Sequence, residues 1–262
     1  MKLKALIFDV DGTLADNEEV HRRAFNSAFE EHGLNWHWSR PDYAQLLATA
    51  GGKERLAAHI DSLDLAGTER AALKERISAI HNSKTTHYTR NVAGGEVPLR
   101  DGILRLVEEA SSARIPLAIA SATTLANIEA LLRTHLGEDA LQRFAVIGCD
   151  DQVPHKKPAP DIYVWVLRQL KVSAADCVAI EDSNNGVRAA KAAGIFTIVT
   201  PSYWTRNEDF SAADLVLPTL GSQTRPLPQR AAQMMGNGVV GLREIDRQLR
   251  GESDGSAGKN HN

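Results

Sequence analysis

The sequence is poor in the residues that build a disulfide-stapled or membrane-embedded fold. Its 262 residues include two cysteines, three methionines and only 5% aromatic side chains. Cys149 and Cys177 both lie in or beside apolar runs, so we expect buried thiols rather than a disulfide framework. No apolar run approaches the roughly 18 residues that a membrane-spanning helix needs. These shortages exclude a small disulfide scaffold and predict no membrane partner.

An excess of charge of one sign is also missing. The chain has 30 Lys and Arg against 33 Asp and Glu, a formal net charge of -3. This balance argues against a dedicated nucleic-acid binder. The amino terminus passes directly into an apolar run without a charged-then-apolar leader. We therefore expect a soluble, cytoplasmic monomer.

Residues 4–13 carry the most informative pattern in the chain. An apolar run of strand length ends at Asp9 and Asp11 and is followed by Gly12. Such a run predicts a buried parallel strand that carries its carboxylates to the sheet edge where open α/β folds bind ligands. A turn at Gly12 would bring both carboxylates together, and they repel unless a cation lies between them. The pattern predicts a magnesium site with one carboxylate free to attack, although an ordinary strand and Asp-Gly turn has the same residues.

Beyond residue 94, strand patterns alternate with helix patterns of about ten residues, which predicts a parallel sheet covered by helices on both faces. Strands are predicted at residues 4–8, 116–121, 144–148, 177–182 and 195–199, with a short sixth at 215–217. Helices are predicted at residues 102–113, 125–135, 161–170, 186–193 and 239–249. Residues 221–238 are predicted to be a loop and residues 251–262 a disordered tail.

Residues 16–94 contain helix patterns but no pattern of a buried parallel strand. The helices are predicted at residues 17–31, 42–48, 53–63 and 68–90, with Trp36 and Trp38 in a small core of their own. We call this helical insert the cap, and residues 1–15 and 95–250 the core. The predicted fold is thus α/β, a Rossmann-like parallel sheet with an inserted all-helical cap domain.

Polar side chains also follow three later strands. Ser121 ends the second strand, Lys157 lies in the loop after the third, and Glu181 and Asp182 end the fourth. Taken alone, Ser121 is more often a helix N-cap and Lys157 a surface lysine. Their order after Asp9 resembles the haloacid-dehalogenase superfamily, whose phosphotransferases show Asp-x-Asp-Gly-Thr, a Ser or Thr, a Lys and an acidic pair.

That resemblance implies residue roles that agree with the chemistry of phosphate esters. Asp9 would attack phosphorus and form an aspartyl phosphate, and Asp11 would serve as general acid and then general base. Ser121 and Lys157 would hold phosphoryl oxygens. The cofactor would be Mg²⁺, held by Asp9, the backbone carbonyl of Asp11 and Asp182, with Glu181 as a ligand or beside one.

The cap offers candidate substrate contacts. Gly51 and Gly52 open a helix and precede Lys53, which is either an anion site or an ordinary loop-to-helix transition. His81 and Lys84 share a helix face and would add an anion contact or face solvent. Further candidates near the hinge and after the second strand are Asp16, His21, Ala122, Thr123 and Asn127. Asp16 would bond a sugar hydroxyl or cap the helix at Asn17.

Within the superfamily the chain resembles the β-phosphoglucomutase-like subgroup, and in it the CbbY-like sugar-bisphosphate phosphatases. The motifs are residues 8–15, 21–26, 51–55, 156–163 and 181–183, with His81 and Lys84. The resemblance implies hydrolysis of xylulose 1,5-bisphosphate, a dead-end inhibitor of the carbon-fixing carboxylase of the Calvin cycle. Asp16 stands where this branch usually has Glu, and Ala50 where it has Thr.

Two other functions use the same residues. A β-phosphoglucomutase-type isomerase differs only in whether water or a sugar hydroxyl accepts the phosphoryl group. A non-catalytic sugar-phosphate sensor is the alternative of another class, but it would have no use for the proton chemistry of Asp11. In each case the partner is a small sugar phosphate or bisphosphate.

Overall fold

The computed structural model describes residues 1–95, 97–149 and 152–251, and the predicted tail at 252–262 lies outside these residues. Six parallel strands form one sheet in the order β3-β2-β1-β4-β5-β6. The strands are β1 (Ala5–Phe8), β2 (Leu117–Ala120), β3 (Val146–Gly148), β4 (Cys177–Glu181), β5 (Phe196–Val199) and β6 (Leu215–Val216). The predicted parallel sheet is confirmed. Because β1 lies between β2 and β4, the polar groups that follow these strands meet at one edge.

Both faces of the sheet are covered, as the sequence predicts. In β1 the buried side chains alternate, with Leu6 and Phe8 in one hydrophobic cluster and Ala5 and Ile7 in another. The first cluster includes side chains from α6 (Ile103–Ser112), α7 (Leu125–Leu136) and α11 (Leu242–Arg250). The second includes side chains from α8 (Asp161–Leu170) and α9 (Asn184–Ala192). Burial of each large apolar side chain stabilises the fold by about 1.5–3 kcal/mol.

The cap consists of helices α1 (Glu18–Glu31), α2 (Arg40–Leu46), α3 (Gly52–Ser62), α4 (Gly67–Glu75) and α5 (Ile77–Ala93). A third hydrophobic cluster, centred on Phe25 and Phe29, lies inside it. Trp38 is buried in this cluster and Trp36 packs against it, as predicted. The division into core and cap at residues 15 and 95 stays a prediction. Within the described residues, no helix has the length and apolar character to span a lipid bilayer.

Two predicted elements are wrong. The single helix at residues 68–90 is two helices, because the chain turns at Arg76, whose guanidinium donates to the carbonyl of His32 at the end of α1 (2.6 Å). The predicted loop at 221–238 contains helix α10 (Gln229–Met235), which follows Pro228. Met235 is buried in the core and Ala231 and Ala232 pack against it, but the helix has only seven residues, so its apolar pattern is too short to recognise.

The two connections between core and cap lie side by side. Ala15 pairs with Leu99, and the backbone amide of Arg100 donates to the carbonyl of Leu14 (2.8 Å). The Arg100 guanidinium donates to the carbonyls of Gly12, Thr200 (2.6 Å) and Pro201 (2.8 Å). This arginine therefore joins the loop after β1 to the loop after β5, at the edge where the polar groups converge.

The carboxyl-terminal helix anchors the strand that carries Asp9. Asp246 of α11 is 3% exposed, and its Oδ1 accepts hydrogen bonds from the backbone amides of Lys2 (2.6 Å) and Leu3 (2.9 Å). We expect Asp246→Ala to lower the free energy of unfolding by about 1–3 kcal/mol, because both amides lose their acceptor. Urea denaturation measures this change.

Arg250→Ala is the matched control for that measurement. It removes the half-exposed ion-pair partner of Asp246 (3.0 Å) and leaves the hydrogen bonds from the Lys2 and Leu3 amides in place. We expect it to cost about 0.5 kcal/mol or less, as exposed ion pairs do. Equal losses in the two variants would contradict the anchoring role of the Asp246 carboxylate.

Candidate active site

The chain turns sharply after β1. The backbone amide of Asp9 donates to the carbonyl of Ile180 (3.0 Å), which extends the pairing of β1 with β4 by one residue. Gly12 follows with a φ of +81°, a value that side chains other than glycine rarely adopt. A Cβ at Gly12 would collide with the carboxylate of Asp182. Glycine therefore lets the loop after β1 approach the end of β4, and the predicted turn is present.

Three buried carboxylates meet at this point. Oxygens of Asp9, Glu181 and Asp182 all lie within 4.8 Å of one another. Burial raises the pKa of Asp9 to about 7; Lys157 opposes the shift, and Glu181 and Asp11 add to it. Burial, followed by the charges of Asp9 and Glu181, raises the pKa of Asp182 well above its usual value. One oxygen of Glu181 (Oε2) is buried without a hydrogen bond from any described residue. Hard oxygen donors that repel one another in this way fit a Mg²⁺ ion.

Lys157 is a buried cation beside Asp9 rather than a surface lysine. Its side chain is 5% exposed, and its Nζ lies 2.8 Å from Oδ1 of Asp9 and 2.5 Å from Oε1 of Glu181. Burial alone would lower the pKa of Lys157, but the charges of Asp9 and Glu181 raise it above its usual value. The hydroxyl of Tyr163 donates to the same Glu181 oxygen. These contacts fix a full positive charge next to Asp9.

The residues after β2 form another wall of the site. The backbone amide of Ser121 donates to the carbonyl of Gly148 (3.0 Å), and its side chain does not cap α7, which Thr124 caps instead. Ser121, Ala122 and Thr123 line the cavity above the carboxylates. Asn127 lies outside that lining and donates to the hydroxyl of Thr123 (2.9 Å). The hydrogen bond of Asn127 therefore stabilises the loop after β2, and its side chain does not line the cavity.

The carboxylate of Asp11 is bound by two residues at the start of α1, the N-cap residue Asn17 and His21 in its first turns. Oδ1 accepts hydrogen bonds from Asn17 Nδ2 (2.7 Å) and His21 Nε2 (2.9 Å). Lys84 Nζ lies 2.7 Å from His21 Nδ1; an ammonium can only donate, so Nδ1 accepts and Nε2 carries the proton. Burial would raise the pKa of Asp11, but the hydrogen bonds of His21 and Asn17 and the positive charge of Lys84 hold it well below its usual value. The Tyr88 ring stacks on His21 at 4.0 Å.

The cavity lies between the core and the cap. Its cap wall is formed by Glu18, His21, Phe25, Leu47, Ala50, Gly51, Gly52, Arg55, His81 and Lys84. Gly51 has a φ of +90° at the start of α3, and a Cβ at Gly52 would collide with the imidazole of His81. Backbone amides and basic side chains thus face the carboxylate cluster across the cavity.

Most of the predicted site residues line the cavity, and four do not. Asp16 is exposed, Lys53 and the buried Asn127 lie outside the lining, and Glu181 is fully buried behind it, against Lys157. Arg55 and Glu18 take part in the cap wall instead, and sequence reasoning missed both. Arg55 shares the buried face of α3 with Leu56 and Ile60, a pattern that could have distinguished it from Lys53.

Other contributors carry no sequence signal of their own. Asn17 reads as the start of a helix, yet its side chain binds Asp11. Tyr163 follows the helical pattern of α8, yet it binds Glu181. Thr205 lies in a loop after β5, and its hydroxyl donates to Oδ2 of Asp182 (3.1 Å). Only the assembled sheet brings these side chains to the carboxylates.

The chain is similar to known proteins along most of its length. A family model described as haloacid dehalogenase-like hydrolase matches residues 3–194. Protein CbbY of Cupriavidus necator (plasmid form) is 53% identical over 227 residues, which are 87% of this chain and 89% of that protein. CbbY of Rhodobacter sphaeroides in complex with phosphate has a TM-score of 0.80 and 43% identity, over 93% of this chain and 99% of that one.

A second crystal structure of the Rhodobacter sphaeroides protein extends the comparison to a substrate complex. It is a variant of CbbY in complex with xylulose-(1,5)bisphosphate, with a TM-score of 0.78 and 45% identity. The match covers 85% of this chain and 98% of that one. By its sequence, its fold and its acidic strand ends, this chain belongs to the haloacid dehalogenase-like hydrolases and is a phosphatase of the CbbY-like branch.

Proposed function

We propose that this protein is a Mg²⁺-dependent phosphatase that hydrolyses a sugar bisphosphate through an aspartyl phosphate on Asp9. The observation that carries the proposal is the pairing of Lys157 Nζ with Asp9 Oδ1 at 2.8 Å, next to two further buried carboxylates. A surface cluster of acids would have no reason to bury a lysine among them. A phosphoryl group, in contrast, needs a nucleophile and fixed positive charge at one place.

Asp9 is the nucleophile in this proposal. Its free carboxylate oxygen attacks phosphorus in line with the leaving oxygen, and one difficult step becomes two easier ones. Lys157 and the hydroxyl of Ser121 hold the phosphoryl oxygens as charge shifts onto them. Asp9, Asp182 and Glu181 would hold Mg²⁺, together with the backbone carbonyl of Asp11, and the ion would supply charge neutralisation for the phosphoryl oxygens.

Asp11 moves the protons. Its carboxylate is ionised in the substrate-free site, so it first takes up a proton when the substrate phosphate binds. It then delivers this proton to the leaving alkoxide of the sugar and removes one from the water that cleaves the acyl phosphate. His21 and Asn17 fix its carboxylate at 2.9 and 2.7 Å, and Lys84 fixes the tautomer of His21. Since His21 and Lys84 belong to the cap, the acid is positioned only when the cap lies over the core.

The opposite wall supports a substrate with two phosphates. Arg55, His81 and Lys84 line the cap side, next to the backbone amides of Gly51 and Gly52. A second anion bound there would place a short sugar between the cap and Asp9. The relative that was crystallised with xylulose-(1,5)bisphosphate carries such a ligand. We therefore favour xylulose 1,5-bisphosphate as the substrate, and removal of this dead-end inhibitor of the Calvin cycle as the role.

The departures at Asp16 and Ala50 bear on the substrate contacts of the cap. Ala50 lines the cavity beside Gly51, where the usual Thr would add a hydroxyl donor near the proposed phosphate site. Asp16 is exposed, so we do not assign it a substrate contact here. Glu18 lines the cavity, and its Oε2 accepts a hydrogen bond from the Tyr43 hydroxyl (2.7 Å). Its other oxygen suits a sugar hydroxyl. The cytoplasmic location and the monomeric state stay predictions.

His21 offers a test of how Asp11 is positioned. We expect His21→Ala to lower kcat about tenfold to a hundredfold, because a charged hydrogen bond of about 1.5–3 kcal/mol to Asp11 is lost. His21→Gln keeps an N–H donor and should recover part of the loss. Steady-state kinetics with saturating substrate measure both variants.

His32→Ala is the matched control for His21. His32 is the C-cap residue of the same helix, and its Nε2 lies 2.9 Å from the Ser83 hydroxyl, outside the cavity. We expect less than a twofold change in kcat. If His21→Ala and His32→Ala behave alike, the proposed positioning of Asp11 is wrong.

The proposed function is tested by phosphate release from a panel of sugar monophosphates and bisphosphates, with Mg²⁺ and with EDTA. We expect xylulose 1,5-bisphosphate to be hydrolysed far faster than any monophosphate, and EDTA to abolish the reaction. If monophosphates are hydrolysed as fast as xylulose 1,5-bisphosphate, the assignment of a second phosphate site in the cap is wrong. Conversion of glucose 1-phosphate to glucose 6-phosphate without phosphate release would instead establish the mutase, and binding without turnover would establish the sensor.

A further inference from the structure

We propose that Trp204 and Asn185, two core residues, form a clasp that holds the cap in register with the carboxylate cluster and thereby favours substrates bound by both domains. The clasp is defined by two contacts, Trp204 against Tyr43 and Asn185 against Ala48. The inference rests on the proposed function, because it concerns how the same cavity is closed. Trp204 acts through the cap and is a positioning residue; Asn185 also lines the cavity, so hydrogen exchange rather than activity tests its part in the clasp.

Trp204 belongs to the core but packs on the cap. It belongs to the segment after β5, residues 200–209, yet it packs against the hydrophobic cluster of the cap. Its ring meets that of Tyr43 edge to face, at 5.6 Å between centroids and an interplanar angle of 84°. Aromatic pairs of this geometry add about 0.5–1.5 kcal/mol to the burial of their surface. The contact is therefore strong enough to bias the cap and weak enough to release it.

Asn185 makes the second contact. Its Nδ2 donates to the backbone carbonyl of Ala48 (3.0 Å). Ala48 lies in the turn between α2 and α3, three residues before Gly51. Asn185 itself is in the first turn of α9, directly after the strand end that carries Glu181 and Asp182. This bond sets the distance between the glycine turn of the cap and the carboxylates of the core.

The segment that carries Trp204 is also tied to the reacting end of the cavity. The hydroxyl of Thr205 donates to Oδ2 of Asp182 (3.1 Å) and accepts a hydrogen bond from the backbone amide of Ser202 (2.9 Å). Trp204 is thus held between two residues of a turn that is fixed to one of the three carboxylates. A shift of the indole would strain this turn.

On the cap side, Tyr43 connects the clasp to the cavity wall. The Tyr43 hydroxyl donates to Glu18 Oε2 (2.7 Å) and accepts from Arg55 Nη1 (2.9 Å), and both partners line the cavity. The residue whose ring Trp204 contacts therefore orients the carboxylate of Glu18 and the guanidinium of Arg55, which line the substrate cavity. The clasp joins the Asp182 end of the cavity to the Arg55 end through one pair of rings.

The clasp is separate from the covalent connections between core and cap. Those connections run through the pairing of Ala15 with Leu99 and the contacts of Arg100. The cap helices α1 and α5 also pack on the core through Val20, Ala24, Tyr88 and Val92, which belong to its first hydrophobic cluster. The clasp adds a noncovalent attachment at α2 and at the turn before α3, which can break without unfolding either domain.

Amide hydrogen exchange of residues 47–52 in the substrate-free protein tests the clasp. The variants are Trp204→Ala, Trp204→Phe and Asn185→Ala, with Tyr203→Ala as the matched control. Tyr203 is the adjacent aromatic residue, 55% exposed; its ring meets that of Trp204 edge to face but is absent from the cap cluster, so this variant controls for the loss of a ring from the same loop. We expect exchange about tenfold faster in Trp204→Ala and Asn185→Ala, which corresponds to about 1.4 kcal/mol, and within about twofold of wild type in Tyr203→Ala. Trp204→Phe, which keeps a ring against Tyr43, should lie between.

A kinetic ratio completes the test. We expect kcat/KM for xylulose 1,5-bisphosphate, divided by kcat/KM for acetyl phosphate, to fall about tenfold in Trp204→Ala, because acetyl phosphate cannot reach the cap wall. Unchanged exchange and an unchanged ratio would overturn the clasp. Should Trp204→Ala fail to fold, Trp204→Phe and Asn185→Ala decide the matter. If wild type hydrolyses no sugar phosphate, the proposed function fails, while the exchange rates still test the clasp alone.

Discussion

Asp9→Asn is expected to lower kcat for phosphate release by about 10⁴-fold or more, the loss typical of removing an enzyme nucleophile. The amide keeps the shape of the side chain but is not a nucleophile towards phosphorus, so no aspartyl phosphate forms. The neighbouring carboxylates remain, and Lys157 keeps its 2.5 Å contact with Glu181. Steady-state phosphate release with freshly purified protein measures the loss.

The same variant should stay folded. Burial raises the pKa of Asp9 to about 7, which means that the folded state disfavours its charge. A neutral side chain at this position therefore relieves repulsion, and thermal unfolding without Mg²⁺ should occur at or above the wild-type temperature. Residual activity above about 1% of wild type in a folded Asp9→Asn protein would mean that water attacks the substrate directly.

Asp11→Asn is expected to lower kcat for sugar phosphates by about 10²- to 10⁴-fold, the usual contribution of a general acid and base. The asparagine oxygen can still accept the hydrogen bonds of Asn17 and His21, so the local structure should be preserved. It cannot protonate the leaving alkoxide. It also cannot activate the water of the second step, so both steps slow down.

A change of leaving group separates these two steps. Acetate leaves acetyl phosphate without protonation, so Asp11→Asn should still be phosphorylated by this compound. Because the second step stays slow, rapid quenching should show a burst of one acetate per active site, followed by slow turnover. Equal losses on acetyl phosphate and on sugar phosphates, without a burst, would show that Asp11 is not the acid and base.

The central part of the fold follows from residues that are close together in sequence. The apolar run before Asp9, and the similar runs before Ser121 and Asp182, predict parallel strands whose polar ends share one edge. The structure has them on the adjacent strands β2, β1 and β4. Neighbouring strand ends require no knowledge of long-range contacts, which is why the convergence at Asp9 was predictable.

The cap wall was less predictable because it depends on which face a helix turns inward. Lys53 and Arg55 are both basic and only two residues apart, but they lie on different sides of α3. The structure buries Arg55 and brings it to the cavity, while Lys53 lies outside the lining. Asp16 illustrates the same difficulty, since it is exposed and the next residue, Asn17, is buried.

Contacts between distant loops left no signal in the sequence. Arg100 reads as a residue before a helix, yet its guanidinium joins the loops after β1 and β5 through backbone carbonyls. Trp204 reads as one of two adjacent aromatic residues in a polar loop, yet it packs on the cap. Carbonyl oxygens and ring faces are available everywhere in a chain, so only the folded arrangement selects the partners.

The most direct test of the account is to locate the phosphoryl group after acid quenching of Asp11→Asn with acetyl phosphate and Mg²⁺. Peptide mass spectrometry should find one phosphoryl group, on the peptide that contains Asp9, and none when Asp9 is also replaced by Asn. Hydroxylamine should release it, as it releases acyl phosphates. A phosphoryl group on another residue, or turnover with no phosphorylated peptide at any time, would contradict the assignment of Asp9 as the nucleophile.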